Sequence, residues 1–131
     1  DVVVSNAGFA INGTHEIVNI AAARSQFETN LFGVMRLDNR VLPVMRRQGS
    51  GHVIAVSSVG GVNGVPFNDV YCSSKFALEG LYESMAPTNR ELGINTSLVE
   101  PGAIKTEFVA NASLPTDVPD TLQSVFDKYK A

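Results

Sequence analysis

The sequence predicts an α/β fold: a doubly wound parallel sheet, of which the chain carries strand, helix, strand, helix and strand in that order. Three observations lead there. Apolar runs of strand length lie at residues 2–4, 52–56 and 94–99. Stretches with helical periodicity separate them. Glycine and small polar residues follow each run directly. Parallel strands joined by right-handed helical crossovers satisfy this alternation.

The first two runs are nearly continuous and rich in β-branched residues, as expected of strands covered on both faces. The third mixes Asn95, Thr96 and Ser97 into its apolar residues. Between the first two, Phe27, Leu31, Val34, Val41, Leu42 and Met45 fall at steps that keep one helical face apolar, with Arg24, Glu28, Asp38, Arg46 and Arg47 on the rest. Pro43 is expected to kink the last turns, and Gly49 can supply a left-handed cap. A second helix is expected from near Asp69 to about Leu92, with Gly93 as its stop. Its small-residue stripe of Ser73, Ala77, Gly80 and Ser84 would let it lie close to a sheet or another helix. Pro87 falls inside it, where proline costs about 3 kcal/mol, and predicts a break near Met85-Ala86. Beyond Val99, the prolines 101, 115 and 119 indicate a loop with some helix.

With 131 residues, 44% of them hydrophobic and 18% charged, the chain holds at most one globular domain. A net charge of −3 argues against nucleic acid or an anionic membrane as partner. No apolar run reaches the roughly 18 residues that a membrane span needs. The single cysteine, Cys72, excludes an intrachain disulfide and fits a reducing, cytoplasmic setting. One cysteine and two histidines assemble no metal-ligand set, so no metal is expected; His52 reads as a solvated residue and Cys72 as buried packing. Asp1 leads straight into an apolar strand, which reads as a piece of a longer protein rather than a signal peptide.

In open parallel sheets, ligands bind outside the carboxyl ends of the strands. Those ends carry Ser5-Asn6-Ala7-Gly8, Ser57-Ser58-Val59-Gly60-Gly61 and Glu100-Pro101-Gly102. Any one of these could be an ordinary turn, but all three lie on the same predicted edge. The sharper signal is Tyr71-Cys72-Ser73-Ser74-Lys75. Residues at i and i+4 share a helical face, and an ammonium beside a phenol favours phenolate, lowering a pKa that starts near 10. Such a tyrosine can exchange a proton near neutral pH. Ser58 lies at the end of the second strand, Asn30 sits inside the first helix, and Pro101-Gly102-Ala103-Ile104-Lys105-Thr106 follows the third strand.

In order and spacing, Asn6-Ala7-Gly8, Asn30, Ser58, Tyr71 to Lys75, and Pro101-Gly102 with Thr106 resemble the classical short-chain dehydrogenase/reductase family. The likeness covers about residues 1–108. Residues 64–80 are similar to the branch of 17β-hydroxysteroid dehydrogenase type 1, photoreceptor retinol dehydrogenase and bacterial relatives. The resemblance implies a Rossmann-type sheet, here its catalytic half, with residues 1–131 as a partial NAD(P)-binding domain and 109–131 as a substrate-loop or helical segment within it. It implies Tyr71 as general acid/base, Lys75 as the residue that lowers the Tyr71 pKa and holds the nicotinamide ribose, Ser58 on the substrate oxygen and Asn30 in a proton relay. Asn6, Ala7 and Gly8 would line the adenosine side of the cofactor. Pro101, Gly102, Ile104 and Thr106 would orient the nicotinamide. Val59, Gly60 and Val65, with Ser58, would face a small apolar alcohol or carbonyl substrate.

The family's glycine-rich phosphate turn does not occur in this sequence, which implies on the order of 80 further residues upstream. The residue that selects between cofactors belongs there. The nearest branch favours NADP(H) and leaves NAD(H) open. A homodimer or homotetramer is implied by the family. A competing reading is a truncated, non-catalytic module that acts through association with a related subunit. A cofactor-binding regulator without chemistry is a third, against which the intact Asn30, Ser58, Tyr71 and Lys75 argue.

Overall fold

The computed structural model describes residues 1–113 and 117–129, the Val109 side chain excepted. Its elements run β1 (Val2–Ser5), α1 (Ile20–Phe27), α2 (Gly33–Gln48), β2 (Gly51–Val56), α3 (Asp69–Glu91), β3 (Ile94–Val99), α4 (Glu107–Ala110) and α5 (Asp120–Tyr129). A π-helical turn, Glu28–Phe32, joins α1 to α2, and a 3-10 turn, Val59–Gly61, follows β2. Pro115 and the rest of residues 114–116, with 130–131, lie outside the described residues.

The three strands form one parallel sheet in the order β1-β2-β3, with Val3 opposite Val53 and Val53 opposite Thr96. On one face, Val53, Ala55 and Ile94 meet Val34 and Met45 of α2 and Leu78 and Tyr82 of α3. Burial of each such aliphatic side chain contributes about 1.5–3 kcal/mol. The other face carries Val2, Val4 and Val99, which are 61%, 54% and 46% exposed. The expectation of strands covered on both faces therefore holds for one face only: among the described residues, both crossover helices lie on the same side. His52 sits on the open face, half-buried rather than solvated, its Nε2 2.8 Å from Ser97 Oγ of the neighbouring strand.

The helices differ from expectation in instructive ways. The first begins at Ile20, where the Asn19 side chain caps it by accepting from Ala22 N at 2.8 Å. It then passes through the π turn instead of continuing as a regular α-helix. Pro43 lies inside α2 without ending it, and Gly49, at φ 66, closes the helix in the left-handed conformation. The break expected near Met85-Ala86 is absent; α3 runs through Pro87 to Glu91. The carbonyl that loses its helical partner there belongs to Glu83, an exposed residue, where water can satisfy it. The small-residue stripe does not face the sheet: Ser73, Gly80 and Ser84 are exposed and Ala77 is half-buried. Instead α3 turns Tyr71, Ser74, Lys75, Leu78, Glu79 and Tyr82 inward, a face that mixes aliphatic core with titratable groups.

Beyond the sheet, α5 rests on the loop before α3. Phe126 meets the Phe67 ring edge-on at 5.1 Å. Phe67 holds φ 58, an unusual conformation for a bulky side chain, and its carbonyl accepts a hydrogen bond from Gly13 N at 2.6 Å.

Candidate active site

The carboxyl ends of β1, β2 and β3 open onto a cavity of about 650 Å3. Local chain geometry brings three groups to its wall. After β2, Ser57 N donates to Val99 O at 2.8 Å, which extends the ladder by one residue and fixes where the chain leaves the sheet. Ser58 then caps the 3-10 turn, its Oγ accepting from Gly60 N at 3.0 Å. Val59 N donates to Pro101 O at 3.0 Å, tying this turn to the loop after β3. From the start of α3 come Tyr71 and Lys75, 9% and 4% exposed. Gly60 permits their approach: a Cβ there would lie 3.3 Å from Tyr71 Cε1 and 3.4 Å from Ser58 Oγ.

Lys75 Nζ donates to the Val56 carbonyl at 2.8 Å and stands 6.0 Å from the centre of the Tyr71 ring. Burial dominates the electrostatics of both groups. Burial pushes the Tyr71 phenol above its ordinary 10, opposed by a hydrogen bond with Ser58 and reinforced by the neighbouring Cys72. Burial also pulls Lys75 itself down to about 8, opposed by the charge of Glu79. At neutral pH Tyr71 keeps its proton and Lys75 remains mostly charged.

Of the residues expected at the site, Asn6, Gly8, Ser58, Val59, Gly60 and Val65 line this cavity together with Tyr71 and Lys75. Pro101, Gly102, Ile104 and Thr106 line it as well. Two do not line it. Ala7 borders a separate hollow of about 380 Å3 beside Thr29 and Gly33. Asn30, fully buried in the π turn, lies behind the wall as a clamp. Its Oδ1 accepts from Phe9 N at 3.1 Å, and its Nδ2 donates to Phe9 O and to Ser74 Oγ, both at 3.0 Å. Ser74 Oγ in turn donates to Tyr71 O at 2.7 Å. Gly8 keeps this junction open, since a Cβ there would lie 3.3 Å from Asn30 Oδ1 and 3.5 Å from Lys75 Nζ.

Sequence reasoning missed Phe108, whose ring lies 5.9 Å from that of Tyr71, and also Asn68, Ala103 and Glu107 on the cavity wall. An apolar residue two positions after Thr106, in the same loop as the expected ligand contacts, was the available signal for Phe108. Among the described residues no three His, Cys, Asp or Glu side chains gather as a metal set. A phenol that retains its proton, a serine hydroxyl and an ammonium on one wall of a mainly apolar cavity can hold a carbonyl or alcohol oxygen and exchange a proton with it.

Comparison with known proteins places this geometry among close likenesses. The short chain dehydrogenase family matches residues 1–116. The chain is 46% identical to retinol dehydrogenase 8 of Bos taurus, over 98% of this chain and 44% of that protein. It is 47% identical to 17-beta-hydroxysteroid dehydrogenase type 1 of Homo sapiens, over 83% of this chain and 33% of that one. It thus spans less than half the length of either relative. Among solved structures, a short-chain dehydrogenase from Streptomyces avermitilis superposes with a TM-score of 0.87 at 34% identity, over 99% of this chain and 50% of that chain. ElxO with NADP bound gives 0.79 at 28% identity, over 100% of this chain and 48% of that chain.

Proposed function

The chain belongs to the short-chain dehydrogenase family, and on that premise we propose that it forms the catalytic half of an NAD(P)-dependent oxidoreductase. The reaction is hydride transfer between a nicotinamide cofactor and a secondary alcohol or ketone, or a retinoid-type alcohol or aldehyde. The observation that carries the reading is the meeting of Ser58, Tyr71 and Lys75 on one wall of the 650 Å3 cavity. A nicotinamide cofactor held there would supply the hydride chemistry.

The residues present fit the nicotinamide and ribose end of such a cofactor. A Cβ at Gly8 would press on Asn30 Oδ1 at 3.3 Å beside the Lys75 ammonium, and the uncharged Pro101, Gly102 and Ile104 line the same cavity. Lys75 would hold the ribose, Thr106 the carboxamide, and Asn6, Ala7 and Gly8 the adenosine side. NADP(H) is the preferred form, in keeping with the NADP bound by ElxO, and NAD(H) stays open.

The chain's own residues then do the following. Ser58 hydrogen-bonds the substrate oxygen, oriented by the bond its Oγ accepts from Gly60 N. Tyr71 gives its proton to that oxygen in reduction and takes one from it in oxidation. The positive charge of Lys75 stabilises the phenolate left behind. Asn30 would help relay protons through an ordered water, and its side chain steadies the loop at Phe9 and the start of α3. Val59, Gly60 and Val65 take the apolar body of the substrate.

Self-association as a homodimer or homotetramer and a cytoplasmic location complete the proposal. Among the described residues, no helix is long and apolar enough to cross a membrane. The test is NADP(H)-linked turnover of hydroxysteroids and retinoids by the whole protein and by its Tyr71→Phe variant. Loss of turnover with cofactor binding retained is expected; turnover that persists in the variant would overturn the mechanism.

A further inference from the structure

One buried acid stands outside the roles given so far. Glu79 lies one helical turn after Lys75 on the inward face of α3 and is 5% exposed. Neither of its carboxylate oxygens has a hydrogen-bond partner among the described residues. The same is true of Ser57 Oγ, on a residue 4% exposed. These groups converge. A Cβ built on Gly61 would lie 2.7 Å from Ser57 Oγ and 3.1 Å from both Glu79 Cγ and Oε1. Gly61 N donates to Ser58 O at 2.8 Å, so the turn that seats Ser58 rests directly on the Glu79 side chain. An isolated carboxylate in such a place is costly unless a counter-charge or polar groups stand close by.

We propose that Glu79 is a positioning residue for this site, its buried carboxylate bracing the turn at residues 57–61 that presents Ser58 and supplying the counter-charge to Lys75. The inference rests on the catalytic reading above and assigns no contact between Glu79 and substrate. The groups around Lys75 make the second part specific. From α3 it faces Tyr71, a neutral phenol, and Glu79. From β2 it meets the Val56 carbonyl, and from the loop after β1 and the π turn it meets Gly8 and, through that loop, Asn30, none of them charged. The charge that opposes the effect of burial on Lys75 is that of Glu79.

The experiment titrates Lys75 in the whole protein by the 13Cε chemical shift of labelled lysine, in the native sequence and in Glu79→Gln and Glu79→Asp, alongside the pH profile of kcat/KM. Glu79→Gln is expected to move the Lys75 midpoint down by about half a pH unit or more, with the alkaline limb of the profile following it. Glu79→Asp, which keeps the charge, is expected to restore most of the midpoint, and Glu79→Met serves as the uncharged variant if Glu79→Gln does not fold. A Lys75 midpoint that stays in place when Glu79 loses its charge, or that moves as far in Glu79→Asp as in Glu79→Gln, overturns the proposal. The titration does not depend on turnover, so activity surviving in Tyr71→Phe would sink the catalytic reading while leaving the Lys75 result to decide this one.

Discussion

Lys75 Nζ donates to the carbonyl oxygen of Val56 at 2.8 Å, joining the inward face of α3 to the last residue of β2. The ammonium is thereby a structural pin as well as a charge at the cavity wall. Lys75→Met should leave that carbonyl without its charged donor, at a cost of about 1–3 kcal/mol. Urea unfolding of the whole protein reads the stability loss, and steady-state kinetics should show a far larger loss of turnover. Equal stability of variant and native protein would mean that the pin is not needed.

Ser58 plays two parts that can be separated. Its Oγ caps the 3-10 turn, and in the proposed mechanism it also holds the substrate oxygen. Ser58→Ala should cost about 1 kcal/mol as a lost cap. The loss in kcat/KM should be larger, on the order of 100-fold, as found for a donor aimed at a reacting oxygen. A kinetic loss no greater than the stability change explains would remove Ser58 from the chemistry.

Gly60→Ala tests the close approach of the turn to α3. The new Cβ would lie 3.3 Å from Tyr71 Cε1, and also 3.4 Å from Cys72 Sγ and Ser58 Oγ. Three neighbours at that distance must yield by a few tenths of an ångström. The expected outcome is a fall in kcat of about tenfold, since small misplacements at a reacting centre are amplified in rate. Unchanged kcat in stopped-flow or steady-state assays would show that Tyr71 tolerates the shift.

Stability should also depend on pH through a pair remote from the cavity wall. Asp38 of α2 is 4% exposed and accepts a hydrogen bond from Tyr82 OH at 3.3 Å. Burial raises its carboxyl from 3.8 to about 6, against the opposing effect of the Tyr82 bond. The folded state therefore binds this proton more tightly than the unfolded chain does. The stabilisation is complete below about pH 4 and is lost as pH rises through 6. Its size is on the order of 2–3 kcal/mol. Urea midpoints at pH 4.5 and 7.5 should show this component in the native protein and not in Asp38→Asn. A pH dependence identical in the two would rule Asp38 out as its source.

Much of this architecture could be read from residue pattern. The strand at residues 52–56, the left-handed stop at Gly49 and the span of α3 all follow from local chemistry: β-branched runs, glycine past a helix end, and inward residues at helical spacing. The meeting of Ser58, Tyr71 and Lys75 was implied by the family resemblance of their motifs, with which the strand ends sharing one edge agreed. What was not legible depended on tertiary contact. The inward face of α3 could not be chosen from its small residues, because Glu79 and Lys75 look like surface residues until the turn at Gly61 is laid over them. The direction of the Tyr71 shift turned on burial of the phenol, which depends on how the chain packs around α3. The π turn left no mark in the apolar spacing, and Pro87 gave a false stop because the carbonyl left without a helical partner belongs to exposed Glu83, where water can satisfy it.

The π turn at Glu28–Phe32 has a consequence for phase. Each residue of an α-helix advances the side-chain direction by about 100°, and a π turn inserts one residue without lengthening the ladder of hydrogen bonds in proportion. Everything after it is rotated relative to everything before. Gln26 and Asn30 reach the Phe9 carbonyl from one side of this seam, while Val34, Asp38 and Met45 meet the sheet and α3 from the other. Excising a single residue from the seam would let the helix run straight, but it would swing one of these two sets out of alignment. The helix between β1 and β2 behaves as two rotors keyed at a fixed offset, and the key is the five-residue turn that holds Asn30.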